Sequence, residues 1–479
     1  MSPDPAAERV PSRWSDPATL RWVARLLSGL IFGLGIYAAV VSILIVCRYH
    51  SPGLMSDQWE LVGRLMRGGG KLSLPALWAQ HNEHRVPVVW ILGLMDLRFF
   101  GGRNISLLIE VFLVQAAAAL LLIGMFRKFG AGRGPFLTVA GLALFCSLSP
   151  LQMENFTWGF QVAFVLAALG GPAAFAGAIC HSAAAAKDSR RWFSGPLVFS
   201  FAAAFLAECG LAAGLVVWPI LVWLGFVLRF PRKSQILTAS VAAVAVGVYL
   251  IGYHSPSYHA DPLQTIRHPS LIVKYVVTYF GYSWDDALPS AAALPTVSEL
   301  LTGLALVFSL VSAVQLCRQR KAPADGLRCF LAANMLFAIA TGVLTSLGRM
   351  NFGFDQAASS RYQTIALLYW ASLLAMLLVS VSGGRYRRIA SVMLQIGIVA
   401  LMLATGGRYK DMEQFADDRR SEVAEGYAAL ANPQADQDDL TSLYPDPEIV
   451  VTWYNYLRSQ KLGPEASEVA RQAHAGGSK

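Results

Sequence analysis

Charge is scarce in this chain. Asp, Glu, Lys and Arg make up 14% of its 479 residues, against roughly a quarter in a soluble globular domain. With 55% hydrophobic residues and long uncharged runs, the deficit excludes an ordinary soluble domain and points to a polytopic membrane protein. Cysteine is sparse as well. Cys47, Cys146, Cys180, Cys209, Cys317 and Cys329 form no CxxC pair and fall in or at the ends of apolar runs. They read as small buried hydrophobes, not as disulfides or metal ligands. HExxH is absent, which removes a zinc-protease reading. The first apolar run, 26–47, is too long for a signal-peptide core and lacks a small-x-small cleavage site, so it reads as a retained span. The sequence has no repeat of solenoid length.

The net charge is +9. In a soluble chain that would raise nucleic acid as a partner. Here the basic residues sit in short turns between apolar runs, where they set orientation, and no nucleic-acid partner is expected.

Eleven apolar runs are span candidates: 26–47, 104–126, 136–150, 160–180, 194–209, 211–228, 236–253, 298–316, 329–347, 362–380 and 389–404. The fold expected is all-α, a polytopic membrane helix bundle of about eleven spans. Its parts are an N-terminal segment 1–25, a multi-span domain 26–404 with a long first loop 48–103, and a tail 405–479. The stretch 270–282 reads as a further short membrane or interfacial helix. Alternate turns carry Arg127-Lys128 and Arg133, then 187–191, Arg229 with Arg232-Lys233, 318–321 and 385–388. With eleven spans all of them share a side with the N-terminus, which the positive-inside rule makes cytoplasmic. The loops 57–104, 150–161, 254–269 and 349–363 and the tail then face outward.

Those outward segments hold the unusual polar clusters. Ionisable groups beside a bilayer are costly, so clusters that persist there are site candidates. Asp57 opens an expected amphipathic helix, 57–66, lying along the membrane with Trp59, Leu61, Val62, Leu65 and Met66 as its apolar residues. Asp57 is either the N-cap of that helix or a catalytic base or metal ligand. Glu60 follows three positions on. The run His81-Asn82-Glu83-His84-Arg85 packs four ionisable groups into five residues. His81 and His84 at i, i+3 would share one helical face and a metal, or bind phosphate together with Arg85. Asp96 and Arg98 suggest a local ion pair. Glu154 and Gln161 flank an outer turn, Glu154 as a second acid or as a helix cap. The segment 155–157 matches a glycosylation sequon. Glu208, alone in an apolar run, either bonds within the bundle or reaches an outer cavity. Arg361-Tyr362 opens a late span, either snorkelling to headgroups or clamping a lipid phosphate.

The first-loop Asp57, the N-in first span, the many spans and the Arg361-Tyr362 entry into a late span give the chain a pattern that resembles the GT-C class of integral membrane glycosyltransferases. The resemblance implies a GT-C-like bundle that moves a sugar from a polyprenyl-phosphate-linked donor to an envelope glycan or lipid acceptor. It implies a bacterial inner-membrane location with the C-terminus outside. Asp57 would be the base or metal-linked acid and Arg361 the donor-phosphate ligand. Glu60 and Glu83 are the further catalytic candidates. His81, His84, Arg85, Glu154, Gln161 and Tyr362 are the substrate-binding candidates. No metal ligand is assigned, and the cofactor is left open, a divalent metal included. The chain departs from the class in two ways: metal-using members often pair acids in the first loop, whereas here Glu60 follows Asp57 three positions on, and the 81–85 cluster is not a general feature of the class. A transporter, flippase, polymerase or ligase handling lipid-linked glycans would use the same phosphate ligands, the transporter without a base. Transporters place their charges near the bilayer midplane and show inverted repeats, whereas here the charges gather at one edge.

Overall fold

The structure is a computed structural model and describes residues 17–130, 135–188, 190–285, 297–319, 325–381, 385–431 and 437–463. It is helical, with no strand among the described residues. After α1 (Pro17–Arg48), the first loop folds as α2 (Trp59–Arg67), α3 (Leu74–Trp78) and α4 (Pro87–Phe99). The bundle continues with α5 (Ile105–Phe129), α6 (Phe136–Leu148), the short α7 (Met153–Thr157), α8 (Val162–Lys187), α9 (Gly195–Glu208), α10 (Val217–Val227) and α11 (Arg232–Leu250). Then come α12 (Pro262–Ile266), α13 (Pro269–Gly281), α14 (Val297–Arg318), α15 (Gly326–Arg349), α16 (Gln363–Ser380) and α17 (Arg385–Gly406). The tail is α18 (Tyr409–Ala431), α19 (Gln437–Thr441) and α20 (Pro447–Ser459).

Nine helices among the described residues are long and apolar enough to cross a membrane, which makes the chain a multi-pass membrane protein by length and composition. Of the eleven expected runs, 194–209 and 211–228 fall short of that length. α9 has 14 residues, a rise of about 21 Å against a hydrocarbon core of roughly 30 Å. Between α9 and α10 the chain turns at Gly210, where a Cβ would stand 2.6 Å from the Ala163 carbonyl oxygen.

Close helix contact replaces a hydrophobic driving force inside the bilayer. A Cβ on Gly141 of α6 would stand 2.5 Å from the Ile31 carbonyl oxygen of α1. Gln395 of α17 donates to Ser28 Oγ of α1 at 3.0 Å and to Thr138 Oγ1 of α6 at 2.7 Å, pinning the three helices to one register.

The two ends of the bundle differ in chemistry. At one end the basic turns meet: Lys128 donates to Cys180 Sγ, Lys233 lies over the Trp192 ring and Arg229 donates to the Gln319 carbonyl. Arg133, Arg320 and Lys321 lie outside the described residues. At the other end the first loop, the tail and the 149–161, 209–216, 251–262 and 349–363 segments converge. There α2 buries Trp59, Leu61, Val62 and Leu65, but Met66 is exposed. Its apolar face meets the tail, not lipid. A Cβ on Gly63 would stand 2.5 Å from the Trp453 ring of α20. Asp96 and Arg98 form no ion pair with each other. Asp96, fully buried, accepts from the Asn104 and Ser106 backbone N–H groups and the Ser106 hydroxyl, so it caps α5 from a distance. Arg98 donates to the Gly70 carbonyl.

The α1–α6 contact yields a test. Gly141→Ala should lower the unfolding midpoint in detergent, overpacking of this kind costing about 1–3 kcal/mol. Gly33→Ala, with nothing within 4 Å of the added carbon, should not. Equal midpoints for the two variants would refute the close approach.

Candidate functional site

A cavity of about 360 Å³ opens at the loop-bearing end, and its walls come from nearly every segment that converges there. Asp57, His81, Glu83, His84, Gln161, Arg361 and Tyr362 all line it, although the sequence separates them widely. Glu60, Arg85 and Glu154 do not line it. The apolar part of the wall includes Trp158, Phe160, Phe164, Tyr249, Tyr253 and Tyr279.

Asp57 lies in a single 3-10 turn, Ser56–Gln58, just before α2. It does not cap the helix. The Met55 backbone N–H is taken by Gln58 Oε1. The Asp57 carboxylate is 29% exposed, and its Oδ1 is 3.3 Å from His81 Nε2. His81 is caged edge-on by Trp90 and Phe160, at ring distances of 5.3 and 5.4 Å. The segment ahead of Asp57 is held from outside. Ser56 takes φ +49, a left-handed conformation rare for Ser, and its N–H donates to the Leu443 carbonyl at 2.6 Å. Leu54 N–H donates to the Tyr427 hydroxyl at 2.7 Å.

His81 and His84 do not share a helical face. Residues 81–84 form a tight turn in which the two backbones exchange hydrogen bonds of 2.8 Å in each direction. Asn82 takes φ +48 at its corner, where Asn is tolerated best among non-glycine residues. The turn sends His81 toward Asp57 and Glu83 toward α15. Glu83 pairs with Arg349 Nη2 and lies 3.4 Å from His84 Nε2 and 3.3 Å from His259 Nε2. Burial disfavours the charged carboxylate, but the nearness of His84 and Arg349 outweighs it and holds Glu83 at about 2. His84 is itself pushed down, chiefly by burial. Its Nδ1 accepts from the Ala212 N–H at 3.1 Å, which requires the neutral ring with its proton on Nε2, toward Glu83. Arg349 is the permanent charge beside Glu83, and the Nε2 side of His84 faces the same carboxylate oxygen. His259 is also lowered, first by burial.

On the opposite wall Glu154 orients Arg361. The Glu154 Oε2 accepts the Arg361 N–H at 3.2 Å and the Ser359 hydroxyl at 3.1 Å, while Oε1 lies 3.4 Å from Arg361 Nε. Glu154 thus neither faces the cavity as a second acid nor serves only as a cap. Asn155 Nδ2, in the expected sequon, donates to the Arg361 carbonyl and to Thr364. Glu60 accepts from the Tyr444 hydroxyl at 2.8 Å and belongs to the contact with the tail. Arg85 spends its guanidinium on the carbonyls of Tyr249, Trp78 and Ile251, at 2.9, 2.7 and 2.6 Å. That leaves it a strut between the first loop and the end of α11, with no fork free for phosphate. Glu208 accepts from Trp218 Nε1 at 2.7 Å inside the bundle.

The described residues contain no group of three or more His, Cys, Asp and Glu side chains placed to hold a metal ion. Arg349 and His259 lie in the 349–363 and 254–269 segments expected to face outward, but nothing in the sequence assigned a role to either of them. Arg349 ends an apolar helix, and His259 sits in a polar loop. Only the pairing with Glu83 singles them out. In comparisons with family models, curated proteins and solved structures, nothing matches the chain.

The Glu83 pair predicts an acid limb in stability. A carboxyl with a depressed folded pKa stabilises the fold above its usual pKa, and the stabilisation is lost as pH falls through the folded value. For Glu83 that window runs from 4.5 down to about 2. The unfolding midpoint in detergent should fall across it in the wild type, and Glu83→Gln should remove that step. A variant with the wild-type acid limb would exclude Glu83 as its source.

Proposed function

We propose that the chain is a membrane glycosyltransferase of the GT-C kind, moving a sugar from a polyprenyl-phosphate-linked donor to an envelope acceptor. The observation that carries the reading is that Asp57 and Arg361, from opposite ends of the chain, line one cavity among apolar aromatic walls. In the reaction proposed, Asp57 takes the proton of an acceptor hydroxyl. The acceptor oxygen bonds to the anomeric carbon while the carbon–oxygen bond to the phosphate breaks, its electron pair staying on the phosphate. Arg361 faces that growing negative charge. Attack opposite the leaving phosphate inverts the anomeric centre. Among the described residues the two Nη groups of Arg361 have no partner, which suits a planar fork for phosphate oxygens.

In this reading α9 and α10 are two further short crossings, for eleven in all. Because they come as a pair, they leave the sidedness of the other helices unchanged. The basic turns then face the cytoplasm with the N-terminus, and the cavity and tail face out of a bacterial inner membrane.

Asp57→Asn should lower transfer by about 10²–10⁴-fold, the range for losing a general base, and leave prenyl-phosphate retention in native mass spectrometry unchanged. Transfer at wild-type rate would remove Asp57 as base. Full retention of lipid translocation with no transfer in the wild type would favour a flippase. Arg361→Ala should weaken prenyl-phosphate retention by roughly tenfold or more, the loss expected for charge-assisted hydrogen bonds. Unchanged retention would reduce Arg361 to a headgroup anchor.

A further inference from the structure

The cavity has a second arginine. Arg349 and Arg361 both line it, and each is gripped by a carboxylate set deeper in the wall. Glu154 is 8% exposed behind Arg361 at 31%, and Glu83 is 16% exposed behind Arg349 at 23%. Each carboxylate takes only part of its arginine. Glu154 meets the backbone N–H and Nε of Arg361. Glu83 meets Nη2 of Arg349. A guanidinium has five N–H donors, so both keep a free edge among the described residues. The Arg361 guanidinium lies 5.9 Å from the centre of the Tyr362 ring, and the Arg349 guanidinium 5.6 Å from the centre of the Phe352 ring.

We infer that Arg349 is a second phosphate-binding residue, with Glu83 as its positioning residue, and that the paired arginines make this a site for a lipid-linked diphosphate in preference to a monophosphate. The inference rests on the donor reading above. Each guanidinium takes one phosphate group of the diphosphate, both arginines lining the one cavity. The cost of holding two arginines in a partly apolar cavity is offset at rest by their carboxylates. An entering diphosphate meets the exposed edges, and the carboxylates keep the side chains in place.

The test uses the full chain in detergent. It measures binding of a short-chain prenyl monophosphate, the matching prenyl diphosphate and inorganic pyrophosphate to the wild type, Arg349→Ala, Arg349→Lys and Arg361→Ala. The wild type should bind the prenyl diphosphate roughly tenfold or more tightly than the monophosphate, the size expected for an added charge-assisted pair. Arg349→Ala should lose that preference and keep monophosphate binding. Arg349→Lys keeps a cation for Glu83 and guards against misfolding, but it lacks the fork, so it too should lose most of the preference. Arg361→Ala should weaken both lipids. Wild-type preference in both Arg349 variants, or no preference in the wild type, overturns the inference while leaving the donor reading intact. Failure of the wild type to bind either prenyl phosphate overturns the donor reading itself. Pyrophosphate bound as tightly as the prenyl diphosphate would overturn the lipid source, and weaker pyrophosphate binding supports it.

Discussion

An ionised carboxylate at the edge of a bilayer persists only if something holds its charge, and the Glu83–Arg349 pair is where this chain meets that demand. The pair joins the 81–84 turn of the first loop to the C-terminal end of α15, two pieces of chain far apart in sequence. Such a pair is weak evidence for stability, because desolvation offsets much of its attraction. Its stronger effect is registry. With Glu83 drawn to α15, the turn has one orientation, and that orientation places His81 against Asp57 and His84 Nδ1 against the Ala212 N–H. Arg85, next in sequence, continues the same work by bonding three carbonyls at the end of α11 and in the first loop.

The tail supplies the other restraint on the site. An amphipathic α2 alone would lay its apolar face in the interface. Here α20 covers that face, with Trp453 on Gly63, and the Leu443 carbonyl and Tyr427 hydroxyl hold the residues just ahead of Asp57. The left-handed Ser56 is sustained by this outside contact. First loop and tail therefore form one layer over the bundle end, and the cavity lies between that layer and the helix termini.

Much of the bundle was legible because its signal is long. Twenty apolar residues in a row admit few alternatives to a helix in lipid. The 194–228 run shows where that signal fails. Hydropathy cannot say whether two apolar pieces of 16 and 18 residues each cross, and the chain turns at Gly210 because only a bare backbone fits against Ala163. The site was legible in part for a different reason. Asp57, His81, Glu83, His84, Gln161, Arg361 and Tyr362 reach one cavity, but their relations to one another did not follow from spacing. An i, i+3 pair of histidines reads as a helix face, whereas the positive φ of Asn82 makes it the mouth of a turn. Arg85 and Glu154 have the residue types of a site and spend their polar atoms elsewhere, on carbonyls in one case and on Arg361 in the other. Which partner consumes a side chain is a property of the assembled fold.

The same accounting of partners separates the acids. Glu154 gives one oxygen to Ser359 and the Arg361 backbone and turns the other to the Arg361 guanidinium. The nearness of His84 and Arg349 holds Glu83 low, at about 2, and a carboxylate so stabilised is a poor proton acceptor, since a base works best with a pKa near the operating pH. Glu60 is engaged by the tail through Tyr444. Asp57 alone among these four acids lines the cavity with no arginine paired to it among the described residues; its Oδ1 lies 3.3 Å from His81 Nε2. If the cavity performs base chemistry, the distribution of partners rather than position in the sequence is what assigns that chemistry to Asp57.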